Sequence, residues 1–271
     1  MGLKINTNVP ALNTGRQLAR SSQALNKSLQ RLSSGLRING AADDAAGMAI
    51  AEGFRSIVRG SQVAQRNAQD GVSMVQTAEG SLSETTNILQ RVRELAVQAA
   101  TGTQSADNRA AVDTEVQQLL AQINDIAEDT QFNGISVLST AQTITLQAGS
   151  QTGQTLAVAL TGAKASDLGV NSVSVSTAAG AVSAIAQVDA ALKSVNTMRS
   201  TLGAQQNRLE FTINTLAIQE ENSSSSESAI RDADIAKETM QFTRNQILVN
   251  AGTSILAQAN TVPQTALQLL R

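Results

Sequence analysis

Starting at Phe54 and stepping by seven residues, the chain meets Ser61, Ala68, Val75, Leu82, Leu89 and Ala96; from Ile57 the same step meets Ala64, Gly71, Ala78, Thr85, Val92 and Ala99. Small and apolar side chains recurring at two such positions form the seam of a helix that packs along another helix. The pattern predicts a helix from about Asp44 to Ala100, roughly 85 Å long at 1.5 Å per residue. Gly102 closes it, and Ser105 or Asp107 caps a second helix that carries Val112, Val116, Leu119, Ile123 and Ile126 at alternating steps of four and three. A third seam runs through Ile185, Val188, Leu192, Val195, Arg199, Leu202, Gln206, Leu209, Ile213 and Leu216. Three seams of this kind bury one another as an antiparallel bundle.

The period changes after Phe132-Asn133-Gly134. Thr143 to Gln147, Leu156 to Leu160 and Val173 to Thr177 alternate β-formers with small polar residues, which reads either as a small β-hairpin region at about 131–180 or as a flexible surface loop. Both ends return to a helical period. Leu18, Leu25, Leu29, Leu32 and Leu36 form one apolar stripe; Leu248, Ala251, Ile255, Val262 and Leu269 form the other. A lone helix with such a stripe is marginal in water, because most of its stability comes from packing the apolar face. These stripes are therefore expected to be assembly seams, and the ends to be disordered in the monomer and to fold on assembly. The fold class expected is mainly α: an elongated antiparallel helical bundle with a small β-hairpin region. Residues 1–42 and 228–271 make a terminal coiled-coil domain, and residues 43–227 a helical rod.

Composition narrows the chemistry. Only 1% of the 271 residues are aromatic and none is Trp or Tyr, so the core must be Leu, Ile, Val and Ala, which suit narrow seams between helices. The absence of His and Cys removes the commonest general base, the thiol nucleophile and the main transition-metal ligands, so no catalytic, cofactor or metal site is expected. A net charge of -2 and the scarcity of aromatic rings argue against nucleic acid as a partner. No stretch approaches the run of about 20 apolar residues of a membrane span, and Met1 to Pro10 lacks a signal-peptide core, so export without a cleaved signal is expected.

Several ordered motifs resemble bacterial flagellin. They are Ile5-Asn6-Thr7-Asn8, Ser33-Ser34-Gly35-Leu36-Arg37-Ile38-Asn39 and Ala41-Ala42-Asp43-Asp44-Ala45-Ala46-Gly47 near the start. Towards the finish they are Ile230-Arg231-Asp232-Ala233-Asp234, Gln246-Ile247-Leu248, Ala257-Gln258-Ala259-Asn260 and Leu269-Leu270-Arg271. The resemblance covers nearly all the chain except about 139–181. It implies a structural subunit that polymerises into the flagellar filament of motile bacteria, with the terminal helices paired as an inner coiled coil. It also implies secretion through the flagellar channel to the cell exterior, an export chaperone on the C-terminal helix, and contacts with hook-associated and cap proteins. A hook-filament junction protein is the alternative. The segment beyond the hairpin is too short for large outer domains, so a thin, smooth filament is expected.

Leu89 to Gln98 resembles the stretch by which the vertebrate flagellin receptor recognises this family, with Arg91, Leu95 and Glu115 at matching positions. Polar contact between subunits explains the same charges. Lys4, Arg16, Arg20, Lys27, Arg31 and Arg37 occupy the first forty residues without an acid, a pattern read as charges facing the filament channel or neighbouring helices. Membrane binding is disfavoured because no bulky interfacial aromatic accompanies them. Asp43-Asp44 marks a helix start, where a carboxylate caps free amides, and Asp125, Glu128 and Asp129 read as a helix end facing water.

Overall fold

The computed structural model describes residues 7–268, with side chains described to residue 261. The seam residue Leu269, the side chain of Val262, and Lys4 lie outside the described residues. Five helices and four strands follow in the order α1 (Val9–Ser34), α2 (Ala45–Ala100), α3 (Ala106–Asp129), β1 (Gln131–Phe132), β2 (Ile135–Ser136), β3 (Gln142–Gln147), β4 (Thr155–Leu160), α4 (Ala178–Arg231) and α5 (Ile235–Gln268). The protein is mainly α, with two antiparallel hairpins. Its contacts divide into two compact units, residues 1–56 with 222–271 and residues 57–221.

In the larger unit the seven-residue seam of α2 is buried at every step, from Ser61 to Ala96 and from Ala64 to Ala99. On α4 one row of the expected seam, Val188, Val195, Leu202, Leu209 and Leu216, is buried, and the other row is half-buried. The Ser105 hydroxyl accepts from the Asn108 amide at 3.2 Å and starts α3, which adds Val116, Leu120 and Ile123 to the same core. Asn133 and Gly134 both take positive φ, 50° and 77°, which is the two-residue turn whose twist matches the β1–β2 hairpin. Strands β3 and β4 pair from Gln142↔Leu160 to Gln147↔Thr155. Leu156, Val158 and Leu160 face the core and alternate with exposed residues.

The hairpin meets α2 where α2 has no side chain. A Cβ on Gly71 would collide with Leu146 Cδ1, and one on Gly60 would lie 2.7 Å from Ser150 Cβ. Between them the Asn67 amide donates to the Gln147 carbonyl at 3.1 Å.

One expected strand is absent. Val173 to Thr177 is irregular, although Val173 and Val175 are buried and alternate with Ser174 and Ser176 as a strand would. Its backbone is satisfied by side chains of α3 instead of a ladder: Asp113 Oδ1 accepts from the Val175 amide at 2.6 Å, and Gln117 Nε2 donates to the Val173 carbonyl at 2.8 Å.

In the smaller unit, α1 and α5 run antiparallel. Asn8 caps α1 by accepting from the Ala11 amide, and Gly35 ends it in the left-handed conformation, φ 72°, with its amide donating to Arg31 O at 2.8 Å. Leu36 therefore lies beyond the helix and not on its stripe; it bridges to Asp232. Asp44 Oδ1 accepts from the Gly47 amide at 2.9 Å and caps α2, as the sequence predicts.

Candidate assembly surfaces

The face of α1 that turns inward alternates leucine with serine. Leu18, Leu25 and Leu32 are half-buried, while Ser21 and Ser28 between them are buried. Serine in those layers lets the helices approach closely, and it is the feature that a search for leucines alone passes over. On α5 the positions that lose accessibility step by four and three through Glu238, Phe242, Asn245, Val249, Gly252, Leu256 and Ala259. Three contacts put this face on α1. Arg31 Nη1 lies 3.6 Å from Glu238 Oε2, a Cβ on Gly252 would lie 3.2 Å from Leu18 Cδ1, and Asn8 Nδ2 donates to Ala259 O at 2.8 Å.

The stripe expected on α5 points the other way. Leu248 and Ile255 are 46% and 57% exposed, Ala251 is exposed, and Ile247 and Met240 stand beside them at 61% and 66%. Ala236, Thr239, Met240, Thr243, Arg244, Ile247 and Leu248 line an open groove of about 700 Å³ along this side. The helix thus carries apolar residues beyond the face covered by α1: Met240, Ile247 and Ala251 lie opposite it, and Leu248 and Ile255 flank it. On α1, Leu29 is likewise 54% exposed.

The Ser33–Asn39 and Ile230–Asp234 motifs meet each other. The Arg37 amide donates to Arg231 O at 2.7 Å, its guanidinium Nε to Ile230 O at 3.1 Å, and the Ala233 amide to Gly35 O at 2.9 Å. Lys27 Nζ lies 2.8 Å from Asp43 Oδ1. That hydrogen bond, helped by one from the Asn39 amide, holds the Asp43 carboxyl below its ordinary range. Lys27, Arg31 and Arg37 are thereby engaged within the unit, and Arg16 donates to Asn13 Oδ1 on α1.

In the larger unit Arg91 Nη2 lies 2.9 Å from Glu115 Oε1, with Glu94 Oε2 at 3.4 Å from Nη1, and the Glu115 bond raises the guanidinium above its ordinary value. Arg91 and Glu115 are thus joined at the surface. Leu95 is only 2% exposed and belongs to the core, so it supports this surface from beneath and does not form part of it. Glu128 pairs with Lys164 at 2.7 Å. Among the described residues no cluster of three acidic side chains is arranged to hold a metal, and no helix is long and apolar enough to cross a membrane.

Comparison with known proteins finds the bacterial flagellin N-terminal helical region over residues 5–143 and the bacterial flagellin C-terminal helical region over residues 185–270. A flagellin of Halalkalibacterium halodurans is 47% identical across 98% of this chain and 99% of its own length. The flagellar filament 33 kDa core protein of Treponema phagedenis is 42% identical, again across 98% and 99%. Among solved structures, Bacillus cereus flagellin is similar over 56% of this chain and 88% of its own, at 34% identity and a TM-score of 0.51.

Proposed function

The chain belongs to the bacterial flagellin family, and from that premise we propose that the bare face of α5 is the surface on which neighbouring subunits close. The protein is a structural subunit of the flagellar filament; its relatives are named flagellin and flagellar filament core protein, and nothing favours the hook-junction alternative. The observation that carries the proposal is the set of exposed apolar residues Met240, Ile247, Leu248, Ala251 and Ile255, all outside the face that α1 covers. A helix with apolar residues on both sides is stable only when both sides are buried, and α1 supplies one. A heterologous contact of this kind repeats without closing and gives a helical tube.

On this reading the paired ends form the inner coiled coil and are disordered in the free monomer, where half of α5's apolar surface would stay wet. The same wet face suits an export chaperone, which would hold the C-terminal helix until it reaches the growing tip or meets cap and hook-associated proteins. Passage through the flagellar channel suits a chain without disulfides. Recognition by the vertebrate receptor would rest on Arg91 and Glu115, with Leu95 holding α2 in place. The filament would be thin and smooth, and a density map with a separately folded outer domain on each subunit would contradict that.

The test is seeded elongation of purified full-length protein carrying Leu248→Glu and Ile255→Glu. Circular dichroism of the free variant should match wild type, since on this reading the C-terminal segment is not folded until assembly. Growth from seeds should be lost. Growth at the wild-type rate would remove α5's outer face from the assembly surface.

A further inference from the structure

Four methionines fall among the described residues, and they differ in what covers them. Met74 lies in the core of the larger unit at 3% exposure, Met48 and Met198 are half-buried, and Met240 is 66% exposed in the middle of the α5 groove. A thioether is a soft nucleophile whose oxidation is governed by access of the oxidant. Access is open from one side on the folded helix, beside Ala236, Thr243 and Ile247, and from every side where the end of a free subunit is unfolded.

We propose that Met240 is a site of oxidation by peroxide-class oxidants in the unassembled subunit, and that its sulfoxide prevents the subunit from joining the polymer. In the reaction a lone pair of Met240 Sδ attacks one oxygen of hydrogen peroxide, the S–O bond forms as the O–O bond breaks, and the attacked oxygen's proton passes to the departing hydroxide, which leaves as water. The sulfur loses two electrons and the peroxide gains them. The product replaces an apolar sulfur with a strongly polar S=O group in a row otherwise made of Ile247, Leu248, Ala251 and Ile255. Thr243 and Arg244 line the same groove, but the Thr243 hydroxyl already donates to Thr239 O at 2.9 Å, so closing a neighbour over the row must either desolvate the new oxygen or divert one of these donors to it. The inference rests on the reading that α5's outer face is covered in the polymer. Once covered, Met240 is out of the oxidant's reach, so vulnerability belongs to the free subunit alone.

The experiment treats free full-length protein and finished filaments with hydrogen peroxide, maps the added oxygen by peptide mass, and measures seeded elongation of the treated protein. Met240 should gain oxygen before Met74 in the free protein and remain unmodified in filaments. Treated wild type should elongate about tenfold more slowly, the effect of desolvating one added polar group in the covered row. Met240→Leu, judged against its own untreated rate, should not slow after peroxide. If treated wild type keeps its rate, or Met240→Leu slows as much, the oxidation inference fails while shielding in filaments leaves the assembly reading intact. Met74 reacting as fast as Met240 would remove the site assignment. Equal oxidation of Met240 in filaments and free protein would overturn the assembly reading and the inference together.

Discussion

Gly252 of α5 sits against Leu18 of α1 so closely that an added Cβ would lie 3.2 Å from Leu18 Cδ1. The neighbour is the end of a flexible side chain, so it can give by a few tenths of an ångström. Gly252→Ala also gains up to about 1 kcal/mol of helix propensity. The two effects should nearly cancel, leaving the thermal midpoint of filaments within a few degrees of wild type. Gly252→Leu has no such room and should lower it clearly, by the roughly 1–3 kcal/mol of an overpacked seam.

Gly71 poses the opposite case. Its missing side chain is where Leu146 and Leu209 enter, and the hairpin is anchored there from above. Gly71→Ala should destabilise free protein by about 1–3 kcal/mol in urea unfolding despite the better helix former. Gly80, which has open space around it, provides the control: Gly80→Ala should be neutral or stabilising.

Asp113 receives both the Val175 amide and the Ser174 hydroxyl. Replacing it by Ala leaves a core-facing amide without an acceptor, at a cost of roughly 1–3 kcal/mol. Hydrogen exchange should show faster exchange at Val175 with little change along α2. Uniform acceleration through the unit would mean that the segment is held by its buried valines and not by this carboxylate.

That segment also shows where the sequence stops being legible. The alternation of Val173, Ser174, Val175 and Ser176 is real, and it reports which side chains go inward. It cannot report what satisfies the backbone, because that role falls to Asp113 and Gln117 sixty residues away. The seam of α2 reads correctly from Ser61 to Ala99 because one face is small and apolar and the rest is polar. On α5 the same reasoning finds the bulkiest row, Leu248 and Ile255, whereas α1 takes the row with Gly252 and Ala259, where small residues allow close approach. Two apolar faces leave no single direction for a pattern to indicate. Leu95 shows the same limit in α2: its neighbours Arg91 and Glu94 are at the surface, yet it is buried.

The Asp43 carboxyl is held below its ordinary value by Lys27, so its contribution is present in full above the ordinary carboxylate range near pH 3.9 and is lost as pH falls through the lowered value. Filaments of Asp43→Asn should melt below wild type by a constant amount from neutral pH to about pH 5. The gap should close on further acidification. A gap that persists at the lowest pH would assign the effect to the contact with the Asn39 amide and not to the Lys27 pair.

Arg91 and Glu115 are both about half exposed, and a pair in that setting contributes little to folding. Arg91→Ala should leave the urea midpoint of free protein where it is. Receptor-bearing cells should nonetheless respond less to the variant, and an undiminished response would remove Arg91 from the recognition surface.

Every second layer of α1's inner face is a serine, and the leucines between are only half covered. Each tooth of this zipper holds with a fraction of the ~1.5–3 kcal/mol that a fully enclosed leucine supplies. A joint made of such teeth holds weakly by itself, and on the assembly reading it becomes durable only when neighbouring copies cover what it leaves open.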